Sequence, residues 1–233
     1  QSSAGPYDSW PTHRGFERFW GFLDGLTCQW FPHALINGTE FVETPTDGSF
    51  YFPDAMTDKS IEMLKEQRAT SPDKPFFMYY APGAVHWPHH TKKEDRKKYI
   101  GKYDKGWDKI RRERLSRLKK LGIAPENTKL SPHNPGVKPW DKLTPDEKKM
   151  AARFQENYAA FVDNTDQNIG RLLSYIEKVG ELKNTLVILA SDNGASGETT
   201  YDGAYNAYRF INGIPTNAEV NLKFYDKIGG PET

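Results

Sequence analysis

Thr185-Leu186-Val187-Ile188-Leu189-Ala190-Ser191-Asp192-Asn193-Gly194 sets a carboxylate, an amide and a glycine directly behind a run that is apolar at odd and even positions alike. Such a run predicts a strand covered on both faces, as in a parallel sheet. A long helical pattern precedes it. Met150, Phe154, Tyr158, Phe161, Thr165, Ile169, Leu172, Ile176 and Val179 follow one another at intervals of three or four. Thr144-Pro145-Asp146-Glu147 supplies the start: a capping Thr, a Pro in the first turn, and a Glu three residues after the cap. Lys178 and Gly180 supply the end. At 1.5 Å per residue this helix runs roughly 50 Å, with Gly170 as the place for a bend. The same order occurs earlier at smaller scale. Asp54 to Arg68 carries Met56, Ser60, Ile61 and Leu64 on one face. Ser71-Pro72-Asp73-Lys74-Pro75 breaks it, and Phe76-Phe77-Met78-Tyr79-Tyr80-Ala81 reads as a second doubly apolar strand, stopped by Pro82-Gly83. Two helix-then-strand units predict an α/β fold, whose ligands sit beyond the carboxyl ends of the strands.

The rest of the chain is less regular. Residues 1–50 are rich in aromatics and glycine, and Asn37-Gly38 between two short apolar runs predicts a hairpin, since both residues tolerate positive φ. Lys92 to Lys120 holds 14 basic residues against 5 acidic ones. Its later part (Trp107, Ile110, Arg114, Leu115, Leu118, Leu121) has helical spacing. Ser131 to Trp140 is a Pro-rich loop, and no long element is expected after Gly194. The 233 residues carry a net charge of +1, with 32 Lys plus Arg and 31 Asp plus Glu, so global charge favours neither nucleic acid nor an acidic solvating chain. No apolar run reaches the roughly 18 residues of a membrane span. The opening Gln1-Ser2-Ser3-Ala4-Gly5 shows no signal-peptide pattern. Cys28, the single cysteine, excludes an internal disulfide and a thiolate metal cluster.

Three features could carry chemistry. Asp192 and Asn193 offer hard oxygen donors suited to Ca²⁺, with Mg²⁺ as the alternative, and they fall where α/β sheets place ligands. The competing reading is a plain Asp-Asn-Gly turn. His86, in Ala84-Val85-His86-Trp87-Pro88, follows the other expected strand by a short loop, so it is either a proton donor or a structural residue bonded to a carbonyl. His89 and His90 read as solvated neighbours. The basic segment is either a solvated amphipathic helix or a surface for sulfate or phosphate groups, and no nucleic-acid motif accompanies it.

Taken together, these residues resemble the sulfatases of the alkaline phosphatase superfamily, in particular the arylsulfatase branch. The resemblance runs through Arg14-Gly15-Phe16-Glu17-Arg18-Phe19-Trp20-Gly21-Phe22, then Pro75-Phe76-Phe77 to His86-Trp87-Pro88. It continues in Tyr103-Asp104-Lys105-Gly106-Trp107-Asp108 with Arg111 and Arg114-Leu115. It ends in Asn157-Tyr158-Ala159-Ala160, Asp166-Gln167-Asn168-Ile169-Gly170, Asn184-Thr185 and Ser191-Asp192-Asn193-Gly194. The order and spacing carry it rather than any one motif.

The resemblance implies an alkaline-phosphatase-like mixed or parallel sheet flanked by helices, of which residues 1–233 are the central part of the catalytic domain. It implies hydrolysis of small-molecule or carbohydrate sulfate esters and a periplasmic or other extracytoplasmic setting. Asp192 and Asn193 correspond to the family's later pair of metal ligands, usually calcium, and His86 to a histidine that contacts the sulfate and assists the leaving group. The family nucleophile is a formylglycine made within Cys/Ser-x-Pro-x-Arg. This chain has no such motif, since Cys28 is followed by Gln29-Trp30-Phe31. The first acidic metal pair, the Lys and His near the nucleophile, and a late catalytic Lys are also unmatched. They are expected outside the 233 residues, which by themselves should be inactive. Two other readings stand beside this one: a phosphoesterase or phosphonate hydrolase of the same superfamily, and a non-catalytic module binding sulfated or phosphorylated polymers.

Overall fold

The computed structural model describes residues 4–195, 199 and 201–233; the opening Gln1-Ser2-Ser3 lies outside them. The chain divides into two units, Gln1–His90 with Phe161–Ser196, and Thr91–Ala160 with Gly197–Thr233.

In the first unit, β1 (Trp20–Gly21), β2 (Ile36–Asn37) and β3 (Glu40–Phe41) form an antiparallel sheet in that order. Asn37 pairs with Glu40, so the hairpin loop is Gly38-Thr39 rather than Asn37-Gly38. Only Gly38 has positive φ, at 66°. A lone glycine at the first loop position is the chemistry of a type II′ turn, whereas Asn-Gly serves type I′. Helix α1 (Phe52–Thr70) starts with Pro53 in its first turn. Phe52 and Met56 join Leu35 in one core, with Trp20 stacked on Phe52 at 5.5 Å. One and two turns on, α1 presents Ile61 and Leu64. Leu64 packs with Leu172 and Ile176 from the second half of the long helix α4 (Pro145–Lys178) in a second core.

The cap of α4 forms as the sequence predicts. Glu147 N–H donates to Thr144 Oγ1 at 3.2 Å, and Thr144 N–H donates to Glu147 Oε2 at 2.7 Å. Lys138 bonds the same carboxylate at 2.8 Å, and these contacts hold Glu147 below its ordinary pKa.

The expected parallel sheet is not found among the described residues. Phe76–Ala81 and Thr185–Ala190 carry no strand pairing. In the first segment Met78 and Tyr80 pack against the Leu64 core, while Phe77 is 80% and Tyr79 75% exposed. Tyr80 donates to Thr57 Oγ1 at 2.8 Å, since that hydroxyl gives its own proton to Pro53 O. The alternation is that of a strand with one face covered. In the second segment Leu186, Ile188 and Leu189 are each at least 80% exposed. Apolar composition marks what a segment would bury, but pairing needs neighbouring strands, and the described residues supply none for these two.

The second unit holds α2 (Lys93–Lys97), α3 (Trp107–Lys120), the first half of α4, α5 (Ala207–Ile211) and α6 (Ala218–Leu222). Its centre is ionic. Arg96 reaches Ile228 O and lies 3.5 Å from Asn157 Oδ1. Glu156 Oε1 accepts from Gly101 N–H at 2.9 Å, and its other oxygen pairs with Arg153 at 3.5 Å. The Arg153 guanidinium also lies 4.0 Å above the Tyr225 ring centre. Buried charges persist only where paired, and the Arg153–Glu156 ion pair meets that need although Arg153 Nε donates no hydrogen bond and Glu156 Oε2 accepts none. Helix α3 buries no residue, as a solvated basic helix should.

Candidate functional site

His86 sits after the Phe76–Ala81 segment in the turn opened at Gly83, whose carbonyl accepts from His86 N–H at 2.9 Å. Its Nδ1 lies 2.6 Å from Trp87 O. A carbonyl only accepts, so Nδ1 carries the proton. Neutral His86 therefore presents Nε2 as an acceptor, and only the imidazolium can donate a proton there. One ring nitrogen of His86 is thus tied to the backbone.

Asp192 and Asn193 follow the other apolar segment, and both are exposed. Ser191 Oγ donates to Asn193 O at 2.7 Å, and Asn193 Nδ2 donates to Gly194 O at 2.8 Å. The Asn193 side chain thereby spends an N–H on the turn. His86, Asp192 and Asn193 belong to the same unit. No group of three or more His, Cys, Asp or Glu able to hold a metal occurs among the described residues. A common sheet edge carrying His86 and Asp192 is not found, because neither segment is paired.

The neighbouring histidines differ from expectation. His90 is 4% exposed, and its Nδ1 accepts from Gln29 N–H at 3.1 Å, which fixes the neutral ring with its proton on Nε2. Cys28 Sγ lies 3.6 Å from the same nitrogen, and burial pushes its thiol above the ordinary value. His89 is pulled down to about 4, chiefly by burial. Both rings are interior parts of the loop that carries His86, not solvated ones. Trp87 and Pro88, which precede them, are buried too.

A polar row that hydrophobic patterning passes over runs along α4. Asn164 and Asn168 are 3% and 2% exposed, and both donate to Asp54 Oδ1, at 3.4 and 3.0 Å. Asn168 Oδ1 in turn accepts from Arg171 at 2.8 Å. The available signal was position: both asparagines fall on the face shared with Phe161 and Leu172.

A family model described as Sulfatase matches residues 2–219. The chain belongs to the sulfatase family. It is 36% identical over 205 residues to an uncharacterised sulfatase of Schizosaccharomyces pombe, covering 82% of this chain and 36% of that protein. It is 34% identical over 198 residues to an arylsulfatase of Klebsiella aerogenes, covering 80% of this chain and 41% of that one. A 42-residue stretch is 50% identical to an N-acetylglucosamine-6-O-sulfatase of Bacteroides thetaiotaomicron, covering 18% of this chain and 8% of that one. This sulfatase chain thus spans about two-fifths of the length of the first two relatives. No helix among its described residues is long and apolar enough to cross a membrane.

Proposed function

We propose that this chain is part of an arylsulfatase-type sulfuric ester hydrolase, contributing His86 as donor and Asp192 and Asn193 as metal ligands. The observation that carries the reading is the 34% identity to an arylsulfatase across 80% of the chain. The donor chemistry supports it. The Asp192 carboxylate and the Asn193 carbonyl are hard oxygens that suit Ca²⁺, with Mg²⁺ a poorer match, and they meet two of the roughly six to eight positions calcium fills. The remaining ligands, and a formylglycine nucleophile, come in this reading from polypeptide outside the 233 residues. Calcium, when bound, supplies positive charge beside the sulfate oxygens.

His86 acts as the imidazolium. With Nδ1–H held by Trp87 O, Nε2–H is the group that can hydrogen-bond a sulfate oxygen or protonate the departing alcohol or phenol.

The test uses the complete protein that contains this chain, with an aryl sulfate and calcium. Asp192→Ala should lower calcium affinity at least tenfold, and Asp202→Ala should leave it unchanged. His86→Ala should lower kcat by about 10²–10⁴. Equal calcium affinity for wild type and Asp192→Ala returns Asp-Asn-Gly to the role of a turn. The 233-residue chain alone should turn over no sulfate ester, and turnover that survives stringent purification overturns the reading.

A further inference from the structure

We infer that the cavity between α3 and the start of α4 binds one sulfated sugar ring. Its walls are Tyr103, Trp107, Ile110, Trp140, Ala151 and Ala152, with Arg111, Arg114 and Gln155 at its polar side. The volume is about 130 Å³, close to the ~150 Å³ that takes a benzene. That is room for one ring.

The walls are fixed before any ligand arrives. Trp107 and Trp140 meet edge to face at 5.0 Å. Gly106 adopts φ +79°, and a Cβ there would lie 2.2 Å from Trp140 Cγ, so the indole rests directly on backbone. Asp108 then pins the Trp140 main chain, accepting its N–H at 2.8 Å, and accepts His133 Nε2–H at 2.6 Å. His133 Nδ1 lies 3.4 Å from Arg111, which also donates to Ser131 O at 2.8 Å. Arg111 is thereby a positioned wall. Such preorganisation lowers the ordering cost of binding.

The polar groups left over define the ligand. Arg114 has no carboxylate partner among the described residues and faces the Tyr103 ring's surroundings as an available guanidinium. Trp107 Nε1 is buried without an acceptor. A buried donor lacking its partner costs stability that a ligand hydroxyl would recover. The Tyr103 hydroxyl, already bonded to Gln155, is held above its ordinary pKa by burial and stays neutral at the cavity wall. Aromatic walls around donors and one free cation match a pyranose with an apolar ring face, hydroxyls and an anionic substituent. The choice of sulfate as that substituent rests on the sulfate-ester reading above. The basic surroundings from Lys92 to Lys120 add attraction for any anion but no selectivity.

Glucose 6-sulfate is the probe, titrated into the ¹⁵N-labelled 233-residue chain while the six indole N–H signals are followed. Trp107 and Trp140 should shift saturably and the other four should not. Arg114→Gln, on an exposed helix face, should weaken binding about tenfold without altering the rest of the spectrum. Glucose and inorganic sulfate should each bind at least tenfold more weakly. Unmoved Trp107 and Trp140 signals, wild-type affinity in Arg114→Gln, or equal affinity for glucose or for sulfate alone would each overturn the assignment. Equal or tighter binding of glucuronate overturns the choice of sulfate. The readout is binding, so it can fail while hydrolysis by the complete protein stands, and the reverse.

Discussion

Asn168 Nδ2 donates to Asp54 Oδ1 at 3.0 Å, joining α4 to α1 across 114 positions of sequence. Asn164 reaches the same oxygen from one turn earlier, and Arg171 continues the row to Asp58. This network sits beside the Leu64–Leu172–Ile176 core and sets which residues of α4 face α1. Asn168→Ala should cost about 1–3 kcal/mol, because it leaves a half-buried carboxylate short of a donor. Asn168→Asp should cost more, since it sets one carboxylate against another. Urea unfolding of the two variants checks the order; a neutral Asn168→Asp would show that the hydrogen bond contributes nothing.

His89 makes the fold sensitive to acid. Its native pKa of about 4 lies below the usual 6.5, chiefly through burial. Between those values the unfolded chain binds a proton that the native chain does not, so stability falls as pH drops through the window and levels off below it. The loss is about 3 kcal/mol at most. His89→Gln should lose less stability than wild type between about pH 7 and about pH 4.5 in urea titrations. Parallel losses would assign the acid sensitivity to other groups.

Among the described glycines of the second unit, Gly106 leaves the least room for a Cβ, 2.2 Å from Trp140. Gly106→Ala combines positive φ with a Cβ inside the Trp140 ring, and should cost about 2 kcal/mol or more. Near-ultraviolet circular dichroism should report the separation of the Trp107–Trp140 pair. An unchanged spectrum would mean that the two indoles do not depend on the glycine.

The bare Leu186–Leu189 run is an aggregation hazard, being β-prone, uncharged and unpaired. Ile188→Lys should change the unfolding free energy by no more than about 0.5 kcal/mol, since the side chain is already exposed. It should also slow self-association, read by light scattering at matched concentration. A large loss of stability would show the segment to be packed.

Much of this was legible from residue pattern. The Thr144–Glu147 box, the extent of α4, the α1 face bearing Met56 and Leu64, and the hairpin near Gly38 all follow from local rules that hold inside a few turns. The sheet did not follow, because pairing is a relation between distant segments, and apolar runs state only what they would bury. The histidine loop was misread for a related reason. Adjacent histidines look polar in sequence, yet His90 is satisfied by a backbone N–H from Gln29, 61 positions away. The Asp54–Asn168 bond has the same character. Asparagine on a buried helical face is invisible to a hydrophobic count, although its place on the 3.6-residue period marks it.

The alternation at Phe77–Tyr80 gives this stretch a parity. Met78 and Tyr80 point to the helices and Phe77 and Tyr79 point away, so inserting one residue after Pro75 exchanges the two sets. The Leu64 core would then receive the pair now facing out, and the Tyr80–Thr57 bond would be lost at the same stroke. A two-residue insertion preserves the faces and shifts the segment by about 6.6 Å along its axis. Sequence drift here is therefore tolerated in even steps and penalised in odd ones, a constraint on length that no single substitution would reveal.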